Sequence, residues 1–304
     1  MHCSGYAARG GALVGRSLRS VLFGGVLAVL ALGCTAKFPV APETPPAGPT
    51  AQEILARSIA ASGGDPYASL QDIAVRYDGT WGPVVEFLQP ALTDSDYRGS
   101  SEERYLLEPD VMAQVHRGPG GEKRVWHDPG TIRVFYGGVP SADDEVLATS
   151  ALVADAYGLF LVGPAWLERR GRDWQRLPDV DEEGRSYYRL LGTLRPGVGL
   201  SEEDQVVAWV DTQTGLLHRV HFTLEGYEGT RGAHVDVTFF DYRSLHGRLW
   251  PTRFIERVIA PVSAHAHLWT MEGLDVNRGL TAEDLGTGAD PRWSPAAARP
   301  AGEL

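Results

Sequence analysis

The chain has 304 residues, of which 43% are hydrophobic, and its formal net charge at pH 7 is −11. This size and apolar content are sufficient for one substantial hydrophobic core. The acidic charge argues against binding of nucleic acid through its phosphates, and against electrostatic attachment to anionic lipid headgroups.

The N-terminus has the organisation of a secretory signal over residues 1–33. The first 20 residues carry three arginines and no acid, and residues 21–33 are apolar throughout. Gly33 then precedes Cys34, which resembles the lipobox of bacterial lipoproteins. The resemblance implies cleavage before Cys34 and acylation of its thiol and of the new amino terminus. The alternatives are an ordinary cleaved signal and a short uncleaved anchor, although 13 apolar residues are fewer than the ~20 that a spanning helix needs.

Cleavage at Cys34 would change the chemistry of the mature chain. The basic residues would fall from 28 to 25 against 39 acids, so the net charge would become −14. Cys3 would be lost, and an acylated Cys34 would leave no thiol for disulfides, thiolate metal sites or nucleophilic catalysis. We therefore expect a lipid-anchored domain of the bacterial cell envelope, facing the periplasm. Thr35 follows the cysteine instead of Asp, which by the sorting rule of enteric bacteria favours the outer membrane.

Residues 34–49 are expected to form a proline-rich tether, since five prolines lie between positions 35 and 49. A helix is predicted next, because Thr50 and Glu53 have capping-box spacing and Gly63-Gly64 forms a stop. From residue 71 apolar residues alternate with polar ones, which predicts strands. The first strand-like segments are 71–81, 83–89, 103–108, 111–117, 123–127 and 131–136.

Residues 146–162 interrupt this pattern with an almost wholly apolar helix, which Gly163-Pro164 is expected to end. Such a helix is either a lid over an apolar cavity or a plain core helix, and both interpretations stay open. The last third is again strand-like, and residues 286–304 have the composition of a loose tail. The later strand-like segments are 186–195, 205–211, 216–225, 234–242, 250–259 and 265–272.

These elements predict one domain over residues 50–285 that is mainly β with helices, an α+β fold. About eleven antiparallel strands with two helices between them favour one strongly curved sheet. Such a sheet buries one face, and the helices are the elements available to cover it.

Several short motifs accompany this pattern. The first helix closes in Ala-Ser-Gly-Gly, the apolar helix closes in Leu-Val-Gly-Pro, and a predicted hairpin from Val210 has the form Val-Asp-Thr-x-Thr-Gly-Leu-Leu-x-Arg-Val. Asp241-Tyr242-Arg243 then leads to Pro251-Thr252-Arg253. Over roughly residues 50–280 the chain resembles the LolA/LolB-like group of lipoprotein carriers and outer-membrane lipoprotein-sorting proteins, a group that includes sensor domains of the RseB type. The resemblance implies a half-open β-barrel with a helical lid, whose concave face takes up acyl chains.

The main hypothesis is a non-enzymatic lipoprotein that binds acyl chains of lipids or lipidated proteins in a hydrophobic cavity, for transport or sorting. It requires no cofactor, metal or catalytic residue, and its partners are acyl chains and the membrane that holds the anchor. Large apolar side chains of the strands and of the apolar helix are the candidate cavity residues. They are Trp81, Leu152, Tyr157, Phe160, Trp209, Trp269 and Met271.

Two alternatives stay open. The same fold can act through its surface as an envelope sensor or assembly module, whose signature is a filled interior with an exposed apolar patch. A metal-dependent hydrolase is the other, because His265 and His267 alternate along a predicted strand and would lie on one face, about 7 Å apart. The sequence indicates no third ligand for such a site.

Overall fold

An antiparallel sheet of thirteen strands dominates the computed structural model, which describes residues 36–128 and 130–285. The predicted signal peptide 1–33, the predicted acylation site Cys34 and the tail 286–304 lie outside the described residues. The strands are β1 (Asp72–Trp81), β2 (Ser100–Leu106), β3 (Val111–Gly118), β4 (Gly121–Asp128), β5 (Thr131–Tyr136), β6 (Val139–Pro140), β7 (Gly171–Glu182), β8 (Arg185–Leu194), β9 (Asp204–Asp211), β10 (Leu217–Thr223), β11 (His234–Phe240), β12 (Arg243–Leu245), β13 (Arg248–Trp250), β14 (Arg253–Ala260) and β15 (Ala264–Val276).

The order of strands in the large sheet is β6-β5-β4-β3-β2-β1-β15-β14-β11-β10-β9-β8-β7, and β12-β13 form a separate hairpin. Neighbouring strands are antiparallel, and β6 and β7 are free edges, so the sheet does not close into a barrel. The helices are α1 (Ala51–Ala61), α2 (Pro66–Ser69), α3 (Pro83–Leu88), α4 (Pro90–Thr93), α5 (Asp144–Arg170) and α6 (Ala282–Leu285). The predicted fold class, a mainly β chain with an open antiparallel sheet and helices, is confirmed.

Helix α5 fills the concave face of the sheet. The Asp143 side chain caps its N-terminus by accepting hydrogen bonds from the amides of Glu145 and Val146, and every residue from Thr149 to Leu167 is buried. The helix packs against β4 and β5 near one edge of the sheet and against β7 at the other edge. Thirteen strands about 4.8 Å apart would span about 60 Å if they were flat. The main core cluster joins α5 to Val125 and Val134 near one edge of the sheet and to Leu190 and Leu194 near the other, which requires a strongly curved sheet.

The expected interruption of this helix at Gly163-Pro164 is observed. Gly163 has the non-helical angles φ 28° and ψ −100°, which end the first helical segment in a kink, and a second segment then extends to Arg170. The second segment continues to bury apolar side chains, among them Trp166 and Leu167. Among the described residues, α5 is the one helix long and apolar enough to cross a bilayer, but most of its apolar stretch is buried, as in a core helix.

Two expectations about the strands are corrected. Residues 83–89 were expected to form a strand, but residues 83–88 form α3, a helix with Pro83 in its first turn, where proline is favoured. The sheet has thirteen strands instead of about eleven, in part because β7 was not predicted. β7 pairs only with β8, and an edge strand of this kind accepts the charged residues and the proline, Pro178, that make it resemble a loop.

The proline-rich segment 36–49 contacts the domain at both of its ends. His234 Nε2 donates a hydrogen bond to the Ala36 carbonyl at 2.8 Å, and the Phe38 ring lies 4.6 Å from the His221 ring. At the other end, Arg176 Nη1 donates to the carbonyls of Ala47 and Pro49. The segment therefore lies against the outside of the sheet before the chain enters α1.

Asp155 joins the middle of α5 to the C-terminal end of the same helix and to the loop between β8 and β9. Its buried carboxylate accepts two hydrogen bonds from Arg170, at 2.7 Å and 3.1 Å, and a third from the backbone amide of Gly199. Removing one partner of such a buried pair leaves the other charge uncompensated.

We expect Asp155→Ala to lower the free energy of unfolding by about 3 kcal/mol. The matched control is Glu228→Ala, which removes an exposed ion pair with Arg231 and is expected to cost less than about 1 kcal/mol. Urea denaturation followed by tryptophan fluorescence measures both. Equal losses in the two variants would contradict the role assigned to Asp155.

Candidate functional site

An apolar cavity of about 200 Å³ lies between α5 and one end of the sheet and opens to solvent. The N-terminal half of α5 forms one wall, β14 and β15 form the facing wall, and α3, α4 and the β10–β11 loop surround the mouth. Three charged side chains occur in the lining, those of Arg98, Arg231 and Glu256. The apolar lining residues are Trp81, Val84, Val85, Leu88, Leu92, Leu152, Val153, Ala156, Tyr157, Phe160, Leu224, Ala233, Val235, Val258, Pro261, Val262, Ala264, Ala266 and Trp269.

A stack of aromatic rings builds the sheet side of the cavity. The rings of Trp81 and His267 are nearly parallel, with centroids 3.9 Å apart, and His267 lies 4.7 Å from Trp269. Trp269 in turn stacks on Phe254 at 4.9 Å and contacts Phe160 of α5 at 5.3 Å. These contacts fix the wall in one arrangement, so the cavity is preformed.

Helix α3 carries exposed apolar side chains at the mouth. Val84 and Leu88 line the cavity yet are 48% and 54% exposed, and Phe87 is 84% exposed. The Gln89 side chain, just after α3, donates a hydrogen bond of 2.8 Å to the Gly229 carbonyl in the opposite loop. This bond joins the two sides of the mouth.

The position of α3 depends on Gly82. Its amide donates to the Ala266 carbonyl, and a Cβ at this residue would lie 2.0 Å from the His265 carbonyl oxygen. Only glycine allows this approach of the two backbones. The sequence signal for α3 was therefore Gly82-Pro83, a close backbone contact followed by a proline at the first helical position. Val84 and Val85, the β-branched residues that follow, had favoured a strand.

The structure brings together five of the seven residues predicted for the cavity: Trp81, Leu152, Tyr157, Phe160 and Trp269 line it. The other two, Trp209 and Met271, are not part of the lining. Met271 is buried in the core but lies deeper along β15, opposite Tyr77, and does not line the cavity. Trp209 points to the outside of the sheet, since its neighbours Ala208 and Val210 are fully buried in the core and Arg219 lies over its ring.

His265 and His267 do not form a ligand pair. The ladder between β14 and β15 is irregular, since Glu256 pairs with His267 while Arg257 pairs with His265. As a result His265 is exposed and His267 is buried between two tryptophan rings. Across residues 36–128 and 130–285, no group of three His, Cys, Asp or Glu side chains is placed to hold a metal ion.

Two carboxyl groups, those of Glu103 and Glu256, are buried on the concave side. Burial raises the pKa of Glu103 to about 7, against the hydrogen bonds that its carboxylate accepts from Tyr105 and Ser101. Burial also raises the pKa of Glu256 in the cavity wall to about 7. Both groups are therefore partly protonated at neutral pH.

A second hollow, of about 420 Å³, lies near the outer-face residues Tyr187, His218 and Phe240. Its rim includes the charged residues Glu183, Arg185, Asp211 and Asp241. Mixed charge of this kind does not suit a purely apolar ligand. The smaller cavity beside α5 is therefore the candidate functional site.

The raised pKa of Glu103 predicts a pH dependence of stability. Between about pH 4.5 and pH 7 the unfolded chain releases the Glu103 proton while the folded chain keeps it, so stability falls as pH rises. We expect Glu103→Gln and the parent to have similar free energies of unfolding at pH 5. Between pH 5 and pH 8 the free energy of unfolding of the parent should fall by about 2 kcal/mol more than that of Glu103→Gln. Urea denaturation across this range measures the difference, and Glu203→Gln, an exposed carboxylate, is the control. Identical pH profiles for all three proteins would contradict the prediction.

The comparisons with known proteins concern the fold. No family model and no curated protein matches the chain. Similar solved structures include a LolA superfamily protein from Nitrosomonas europaea, 15% identical with a TM-score of 0.49, covering 78% of this chain and 98% of that one. A DUF1329 family protein from Desulfovibrio piger is 13% identical with a TM-score of 0.49, covering 79% and 98%.

A third similar structure is an outer membrane lipoprotein-sorting protein domain from Vibrio parahaemolyticus. It is 10% identical with a TM-score of 0.40, and the match covers 77% of this chain and 95% of that one. At these identities the likeness is one of fold alone.

Proposed function

We propose that this protein is an envelope lipoprotein that carries an acyl chain of a lipid or lipidated protein in the cavity beside α5. The observation that carries the proposal is a preformed apolar cavity that remains open at one end of the sheet. In this proposal the protein acts as a carrier by binding and release, without catalysis.

Burial of the chain supplies the driving force. Each methylene group removed from water contributes about 0.8 kcal/mol, so eight of them would contribute about 6 kcal/mol before the cost of ordering the ligand. A volume of about 200 Å³ is small for a ligand site and suits part of one chain better than several chains side by side.

Helix α3 provides a means of reaching lipid. Val84, Phe87 and Leu88 expose apolar surface next to the mouth, where water must be displaced for an acyl chain to pass. We infer that these side chains enter the apolar region of a membrane while the chain is transferred. The hydrogen bond from Gln89 to Gly229 can break and reform as the mouth widens.

The N-terminal segment meets the domain close to the cavity, which supports a membrane anchor near the mouth. Ala36 is bound by His234, and the residues on either side of His234, Ala233 and Val235, line the cavity. The predicted acylation site, Cys34, stands two residues earlier in the sequence. An acyl anchor there would hold the domain with its mouth near the membrane, in the cell envelope.

A sensor or assembly role is the second candidate, and the same exposed face of α3 favours it. A surface of this kind is typical of protein–protein contacts as well as of lipid contact. The two roles differ in what they require of the cavity, because a protein partner bound through α3 does not need the space beside α5.

We expect Ala156→Phe to weaken binding of an acyl probe at least tenfold, because the added ring occupies the cavity where Ala156 lines it. Titration of N-phenyl-1-naphthylamine fluorescence, with hexadecanoate as the competitor, measures the affinity. Ala60→Phe, on an exposed face of α1, is the matched control and should leave the affinity unchanged. Unaltered binding in Ala156→Phe would contradict the placement of the ligand.

We expect Phe87→Ser to slow transfer of a fluorescent fatty acid from vesicles several-fold, because less apolar surface then enters the membrane. Affinity for the same ligand in solution should not change, since Phe87 is not part of the lining. Val139→Ser, at another exposed apolar residue, is the control. Equal transfer rates for Phe87→Ser and the parent would show that α3 is not the membrane contact.

A further inference from the structure

Arg98 is a buried cation in the wall of the apolar cavity. The residue is only 5% exposed, and its guanidinium lies 4.5 Å from the centre of the Trp81 ring. Nη1 donates a hydrogen bond of 2.8 Å to the Leu92 carbonyl, whereas Nε is buried and has no partner. A buried donor without an acceptor is costly, and such a group indicates a missing ligand or a functional role.

The positive charge of Arg98 has no close ion pair. Within the part of the chain that the structure describes, no carboxylate oxygen lies within 4.0 Å of this guanidinium. The acids that interact with it at longer range include Glu103 and Glu256, and burial raises the pKa of both to about 7. The contact with Trp81 offsets part of the cost of burying the charge. The guanidinium therefore remains available for an anion.

We propose that Arg98 binds the free carboxylate of a single-chain lipid, whose apolar chain runs outward along α5 to the mouth at α3. This inference rests on the proposed acyl-chain function and adds the class of ligand and its direction. The head of the lipid would lie inside the protein and its tail would point to the mouth.

The geometry favours a carboxylate in this position. Nη1 donates to the Leu92 carbonyl, the guanidinium also hydrogen-bonds the Tyr157 hydroxyl, and Nε is left without a partner. The Nε edge of a planar guanidinium matches the oxygens of a carboxylate. Glu256 in the same wall, when protonated, is a hydrogen-bond donor and does not compete as an anion. The rest of the lining is largely apolar, so the site suits one charged head and one apolar chain.

This direction distinguishes two kinds of acyl cargo. A lipidated protein has no free carboxylate on its acyl chains and would enter with the chain ends first. A free fatty acid can place its carboxylate on Arg98 and extend its chain outward past Leu88 and Val84. The inference therefore selects free carboxylate lipids within the broader proposal.

Competition between two ligands of equal chain length tests the inference. The full chain carrying Cys34→Ser, which cannot be acylated at that residue, is loaded with the uncharged probe N-phenyl-1-naphthylamine and titrated with hexadecanoate or hexadecanol. We expect the parent to prefer hexadecanoate about tenfold, as a charge-assisted hydrogen bond requires. Arg98→Met should abolish the preference while keeping the affinity for hexadecanol. Arg231→Met, at the exposed lining arginine, should keep the preference.

The outcomes separate the two proposals. Equal affinity of the parent for both ligands, or a preference that survives in Arg98→Met, would overturn the role of Arg98 and leave acyl-chain binding in place. Displacement of the probe by neither ligand would overturn acyl-chain binding and the inference together.

A second measurement does not depend on the folding of Arg98→Met. Hexadecanoate labelled with ¹³C at its carboxyl carbon is bound to the protein that keeps Arg98. NMR then follows the chemical shift of this carbon as the pH is lowered. We expect the bound carboxyl to stay ionised to a lower pH than the same lipid in a neutral vesicle, because the guanidinium stabilises the anion. A pKa of the bound carboxyl equal to or above its pKa in the vesicle would contradict its pairing with Arg98.

Discussion

The concave face of the sheet needs an apolar cover, and α5 provides it. An open sheet of thirteen strands cannot bury one face against itself, so it curves around this one helix and contacts it near both edges. The helix is apolar on nearly all sides because strands surround it, and the kink at Gly163 lets its second segment follow the curve. Where the N-terminal half of the helix and the ends of β14 and β15 separate, an apolar cavity remains.

The walls and the mouth of this cavity are built differently. Stacked rings from Trp81 to Phe254 hold the sheet side in place, so little ordering is needed when a ligand enters. The mouth is closed across one side by the hydrogen bond from Gln89, and it exposes the apolar side chains of a short helix. A rigid interior and a weakly joined mouth suit binding and release of an apolar chain. Arg98 and Glu256 add two charged side chains to a largely apolar wall.

Alternation of apolar residues was sufficient to predict most strands and the fold class, because most strands bury one face in the main core. Alternation was not sufficient to predict the helix at the mouth of the cavity. The helix at 83–88 has six residues, too few for a helical period, and its β-branched residues favoured a strand. Trp209 was misplaced because alternation does not say which face is inside. Arg98 belongs to no motif, and its role depends on which acids the fold keeps at a distance.

The central claim is that the cavity beside α5 holds an acyl chain, and a crystal structure with a fatty acid brominated near its methyl end tests it most directly. Anomalous scattering locates the bromine without interpretation of weak density. The account predicts one bromine peak near the mouth, between Leu88 of α3 and Val153 of α5, which both line the cavity. A peak confined to the outer face near Tyr187, or a cavity closed by rearranged side chains, would contradict it.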